Sequence, residues 1–293
     1  MLLGILMSVL TALCWASTSV VMRGIKRLGA FEVSLLRASG GLVCACALFA
    51  AFGTPLELSP ATALFFVLMV LGNNVVGDVF LLFAIQHIGV ARGAAIASSY
   101  PVVVSIVSHF VFGSPFTAAT AAGTLTAFAG TALLCRKERA ANSPASAAGV
   151  AYAVAASVLW ASGLLFNKAL VASGTPPLSV TFGRGVTFFI TSLILWLVHC
   201  KGDFRPALRR FVPRESLLAF VAGFCSLGFG SFFFSSALAR VQPAVATTIG
   251  ASNPIAATIA AMFIYKEKPL AHQWVGIFLA VLGNHVFLCF NRC

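Results

Sequence analysis

Residues 62–85 read TALFFVLMVLGNNVVGDVFLLFAI. A helix needs about 20 mostly apolar residues to cross a hydrocarbon core about 30 Å thick, and this stretch is long enough. Asn73, Asn74 and Asp78 stand in its middle. A charge near a bilayer centre costs about 2.5–3.5 kcal/mol on insertion scales, so Asp78 must face a cavity or a partner. The stretch therefore predicts a membrane-spanning helix with a polar face turned into the protein.

The rest of the chain agrees. Of 293 residues, 60% are hydrophobic and only 9% charged, and mean hydropathy is +1.00. Soluble domains are about a quarter charged. No soluble shape of this length hides so much apolar surface. The expected class is an all-α polytopic membrane protein. The net charge of +12 would suggest nucleic acid in a soluble chain. Here the excess of basic residues on one membrane face explains it, and no nucleic-acid partner is expected. No phosphate-binding glycine loop, zinc spacing or nucleophile elbow occurs, so no cofactor or metal is expected. An enzyme acting on lipid needs a nucleophile or metal cluster at the interface. The polar residues here are spread through mid-membrane positions, which argues against one. Cys14, Cys44, Cys46, Cys225 and Cys289 lie in apolar runs without CxxC spacing and read as small buried residues. MLLGILMSVLTALCW at the N-terminus lacks a basic leader and reads as a first span, not a cleaved signal.

Ten windows have the length of a span: roughly 2–22, 32–52, 62–85, 91–112, 117–135, 148–170, 178–199, 216–238, 244–264 and 270–290. The connections are mostly short. The two longest are RKERAANSPAS (136–146) and KGDFRPALRRFVPRE (201–215), the latter a basic anchor suited to anionic lipid. Gly123 and Gly130 are placed to let helices approach closely. Connections after odd-numbered windows carry Arg23, Lys26, Arg27, Arg92, Arg136, Lys137, Arg139, Lys201, Arg205, Arg209, Arg210, Arg214, Lys266 and Lys268. The opposite face has Lys168, Arg240 and Arg292. By the positive-inside rule both termini face out of the cell, in an inner or plasma membrane.

The two halves echo each other. CWAS (14–17) matches LWAS (159–162), and SSYP (98–101) matches ASNP (251–254). Gly123 and Gly130 follow Pro101 at the distances by which Gly276 and Gly283 follow Pro254. Arg37 follows Trp15 much as Arg184 follows Trp160. Each half holds five windows, an odd number, so the second copy enters from the opposite side. The expected organisation is two inverted five-helix repeats, residues 1–135 and 148–293, joined by a polar linker at 136–147. Inverted repeats place substrate sites near the midplane.

These features resemble the EamA branch of the drug/metabolite transporter superfamily. The likeness rests on Trp15 and Trp160 with their following Ala-Ser, on Arg37 and Arg184, on the proline-containing fourth windows, and on FIYKEKPLAHQWVGIFLAVLG (263–283). The resemblance implies a ten-helix transporter or efflux protein for small metabolites, with a central cavity lined by spans 1–4 and 6–9. Two departures stand out. The family's glutamate appears as Glu267 in the second half but as Ser114 in the first. Relatives of this branch keep their termini in the cytoplasm, whereas the charge count here puts them outside.

Several residues are candidates for the cavity. Asp78 is the one carboxylate well inside a window. Asn74, four residues earlier, shares its helix face, and Asn73 points toward a neighbouring helix. Asp78 binds a proton or a substrate amine, forms a structural ion pair with Arg37 or Arg184, or reaches the headgroup region. Counted from the prolines, its counterpart is Ser231, a hydroxyl in place of a charge. Arg37 and Arg184 suit a carboxylate or phosphate, or else snorkel to the interface. Trp15 and Trp160 lie deep in their windows with Ser17 and Ser162 two residues on, and either line the cavity or pack helices. Tyr100–Pro101 and Asn253–Pro254 interrupt helix hydrogen bonding, which forms either a gate or a packing kink. His109 and His285 read as packing residues.

The expected function is secondary transport of a small polar or amphipathic, amino-acid-like metabolite by alternating access. The two five-helix halves would rock about a midplane cavity. A facilitative exchanger of organic anions and a non-transporting membrane sensor remain alternatives.

Overall fold

The computed structural model describes residues 1–21, 24–52, 59–134, 146–204, 208–264, 266 and 270–290. Arg23, Arg136, Lys137, Arg139, Arg205, Glu267, Lys268, Arg292, the side chain of Cys289 and most of the 136–147 linker lie outside the described residues.

Helix begins where the local chemistry allows it. Ser59 caps α3 (Pro60–Ile88) by accepting from the Thr62 backbone N–H at 3.1 Å. Ser146 caps α7 (Ala147–Ala172) through Gly149 N–H. Proline opens α8 (Pro177–Cys200), α9 (Pro213–Leu238) and α10 (Pro243–Gly250), where its missing N–H costs nothing. α1 (Leu2–Val21), α2 (Ala30–Phe52), α4 (Val90–Ala97), α5 (Tyr100–Phe112), α6 (Ala118–Leu134), α11 (Asn253–Ile264) and α12 (Ala271–Phe290) complete the set. Gly113, at φ 63°, ends α5 in the left-handed conformation that glycine adopts without strain.

Among the described residues, eight helical stretches are long and apolar enough to cross a membrane, and the apolar helix Ala118–Leu133 is shorter. Large apolar side chains point outward: Phe110 and Phe263 are each 80% exposed. The buried set joins apolar side chains such as Phe66, Met69 and Phe234 to hydroxylic ones such as Ser8, Thr11, Ser105, Ser108, Thr124 and Ser157. Tails solvate the apolar faces, and close packing holds the helices together.

Small residues make the seams. A methyl on Gly130 of α6 would strike the backbone of Gly276 and Ala280 on α12, and one on Gly283 the backbone of Gly123 and Ala127. The close approach expected at Gly123 and Gly130 is therefore made with α12. α2 meets α9 in the same way, Gly40 against Phe220 and Gly223 against Arg37, both through backbone. α3 lies along α7 and α1 along α9. Helices from the first 134 residues thus pack chiefly on helices from the second half. Helices of the two sequence halves therefore interlock.

Two local features position the site. α3 widens into a π turn at Leu71–Val76, where Gly77 N–H bonds Gly72 C=O, five residues back. α9 does the same at Phe224–Phe229, where Gly230 N–H bonds Cys225 C=O. Both turns begin 30 residues before a proline (101 − 71 and 254 − 224). Secondly, α4 and α5 are separated at Ser98–Ser99, and α10 and α11 at Ala251–Ser252. Each break is closed by short three-residue bonds, Val102 N–H to Ser99 C=O at 2.9 Å and Ile255 N–H to Ser252 C=O at 3.0 Å. Pro101 and Pro254 follow, and neither can donate to the carbonyl one turn back.

Candidate functional site

The π turn of α3 presents its polar residues to three neighbours. Trp160 Nε1 of α7 donates to Asp78 Oδ1 at 3.1 Å. Asn73 Nδ2 donates to the Trp160 carbonyl at 3.3 Å. Arg184 of α8 donates through Nη2 to Asn74 Oδ1 at 3.2 Å and through Nη1 to Ser231 Oγ of α9 at 2.6 Å. The residues form two hydrogen-bonded sets, Asp78–Trp160–Asn73 and Asn74–Arg184–Ser231, which meet at the adjacent Asn73 and Asn74 of α3. Extra residues in a helical turn recur at functional sites because they redirect side chains. Here Asn74 and Asp78, expected on one face, serve different partners.

Glycine sets the tryptophans. A methyl on Gly77 would lie 2.7 Å from Trp160 Cδ1, so only glycine lets the indole lie flat on α3. Gly230 plays the same part for Trp15, whose Cδ1 would be 2.9 Å from an added methyl. Trp15 also packs on Phe234 at 5.2 Å between centroids, and Tyr100 meets Trp160 edge-on at 6.1 Å. Trp160 thus sets an aromatic ring against Asp78, with Tyr100 edge-on to it.

Asp78 is exposed by accessible surface although protein atoms crowd round it. Its counterpart Ser231 is only 1% exposed. Asp78 interacts electrostatically with Arg37 and Arg184, but among the described residues neither comes within ion-pair distance. The direct partner of the carboxylate is the Trp160 N–H.

The remaining candidates stand apart from this network. Ser17 Oγ donates to the Cys14 carbonyl at 2.6 Å and Ser162 Oγ to the Leu159 carbonyl at 2.8 Å, each within its own helix. Ser162 also packs on Gly72. Asn253 and Pro254 open α11, Pro101 lies in the first turn of α5, and none of them joins the hydrogen-bonded group. His109 bonds the Ser114 carbonyl at 2.8 Å, as a packing residue would.

Glu32 was not among the sequence candidates. It is 0% exposed in the first turn of α2, with Arg210 at 3.6 Å. Close by, Glu215 accepts from the backbone N–H groups of Lys26, Arg27 and Leu28 at 2.9–3.3 Å. The two carboxylates clasp the start of α2 to the region around the start of α9. The signal was present in the sequence as acids beside arginine-rich loops, but Glu32 sits at the very edge of its window. Among the described residues no group of three His, Cys, Asp or Glu side chains is disposed to hold a metal.

Comparison with known proteins completes the description. Residues 2–136 and 147–289 match the model of the EamA-like transporter family. An uncharacterized transporter of Archaeoglobus fulgidus is 23% identical over 283 residues, which cover 96% of each chain. A protein of known crystal structure superposes with a TM-score of 0.83 over 98% of each chain at 18% identity, a likeness of fold.

Proposed function

The chain belongs to the EamA-like transporter family, and from that premise we propose that it is a secondary transporter of small polar or amphipathic, amino-acid-like metabolites working by alternating access. The observation that carries this reading is the polar group at Asp78, built from residues of four helices with Asp78 itself exposed, and the reading takes that group as the lining of a recess that opens to water. A packed interaction protein has no use for a carboxylate held open inside its span. Asp78 binds a proton or a substrate amine in this scheme, and Arg37 and Arg184 form the opposite pole. The inverted-repeat organisation, with five helices per copy, belongs to the same proposal.

The motion follows from the packing. α3 is pinned to α7 through Gly77 and Gly163, and α2 to α9 through Gly40, Gly41 and Gly223. Those pairs move as units. Arg184–Asn74 bridges α8 and α3, so it breaks or re-forms as the recess changes sides. In this scheme the contacts of Glu215 and Glu32 hold the start of α2 against the region around the start of α9.

Cysteine-accessibility scanning along residues 70–80, in a background without native cysteines, tests the reading. Labelling by a water-soluble reagent should peak at positions 74 and 78, with a cysteine at 231 protected. Uniform protection along the stretch points to a packed core and refutes a transport pathway there.

A further inference from the structure

The charges of the recess do not balance. Two guanidiniums, Arg37 and Arg184, interact electrostatically with each other and face one carboxylate, Asp78. The hydrogen-bond partners of Arg184, Ser231 and Asn74, are neutral and leave its charge uncancelled. The partner of Asp78, an indole N–H, is neutral too. An uncompensated charge inside a membrane is costly, so the recess favours an occupant that removes the excess.

Arg37 is where such an occupant docks. Its side chain makes no hydrogen bond to a described residue, and its Nε is enclosed without a partner. The side chain as a whole is partly buried. The reason lies in the opposite helix. Asn74 gives Arg184 an acceptor 27 residues before Pro101 (101 − 74). The residue 27 before Pro254 (254 − 227) is Leu227, which offers none. Arg37 therefore keeps a planar, two-pronged donor set matched to a carboxylate. Trp160, which donates to Asp78, and Tyr100, edge-on to it, supply flat aromatic surface in the same recess.

We propose that the substrate is a small organic acid carrying one net negative charge on an aromatic body, with its acid group bound by Arg37. The proposal rests on the transporter reading above and, for that recess, puts an organic anion in place of the amino-acid-like substrate. Leu227, by withholding an acceptor, is the residue that leaves Arg37 free for it.

Purified full-length protein in detergent is titrated near neutral pH with 3-phenylpropionate, phenylalanine and 3-phenylpropylamine, and binding is read from thermal stabilisation. The three share one body and differ in charge. The acid should bind about tenfold or more tightly than the other two. Arg37→Gln should abolish that preference, and Arg37→Lys should restore part of it. Leu227→Asn, which ties Arg37 up while keeping both arginines, should weaken the acid alone. Equal or tighter binding of the zwitterion or the amine overturns the proposal, as does stabilisation by none of the three. Wild-type affinity for the acid in Leu227→Asn overturns it too, and decides the matter if Arg37→Gln does not fold. A reversed charge ranking in a protein that still catalyses flux leaves the transporter reading standing. Flux no greater than in protein-free liposomes sinks both.

Discussion

Replacing Trp160 by Phe deletes the one direct hydrogen bond to the Asp78 side chain among the described residues and keeps most of the aromatic ring surface. A hydrogen bond to a charged group contributes about 1.5–3 kcal/mol when its loss strands the partner. Asp78 is exposed, so water takes the place of the indole N–H and recovers part of that amount. The expected cost is about 1 kcal/mol in substrate binding, or about fivefold in affinity. A double-mutant cycle isolates it. Wild type, Trp160→Phe, Asp78→Asn and the double variant are compared by thermal-shift titration with the best-stabilising compound from a panel of amino acids and organic acids. The coupling between the two positions should be about 1 kcal/mol, because residues in direct contact are not additive. Strictly additive effects would mean that the indole N–H does not hold the carboxylate, and the geometry argued for the recess would be wrong.

Other outcomes follow from the same contacts. Gly77→Ala puts a methyl 2.7 Å from Trp160 Cδ1 and from the Gly72 carbonyl oxygen. It should lower substrate affinity at least as much as Trp160→Phe in the same titration, since the indole must leave Asp78. Gly130→Val forces a branched side chain into the α12 backbone at Gly276 and Ala280. It should destabilise the protein by about 1–3 kcal/mol, seen as a lower melting temperature in detergent with substrate contacts untouched. Glu215→Ala frees the backbone N–H groups of Lys26–Leu28 and should speed proteolysis in that loop, whereas Glu215→Gln keeps an acceptor and should protect it.

Much of this was legible before any coordinates. Apolar runs mark helices in lipid plainly, because backbone groups there must pair within their own segment. The cost of burying Asp78, Arg37 and Arg184 picked those residues out, and the indole positions of Trp15 and Trp160 did the same. Partnership was less legible. The arginines were weighed as ion-pair partners for Asp78, but the structure gives it Trp160, because Gly77 lets the indole approach where a longer side chain would not fit. The π turn at Leu71–Val76 left only a faint trace, Gly72 and Gly77 five residues apart, and it separated Asn74 from Asp78. The interlocking of the two halves was also hidden. Glycine at 40, 130 or 223 announces a close approach but not which helix comes near. Glu32 was missed because an acid at a helix start is usually read as favouring the positive end of the helix dipole, not as a buried clasp.

The central claim is that Asp78 serves transport and not merely helix packing. Proteoliposomes containing wild type or Asp78→Asn, loaded with the best-stabilising compound of the panel, give the direct test under an imposed pH gradient and in exchange mode. Asp78→Asn should abolish gradient-driven accumulation and leave exchange intact. Accumulation in the variant with the wild-type dependence on the pH gradient would contradict the account.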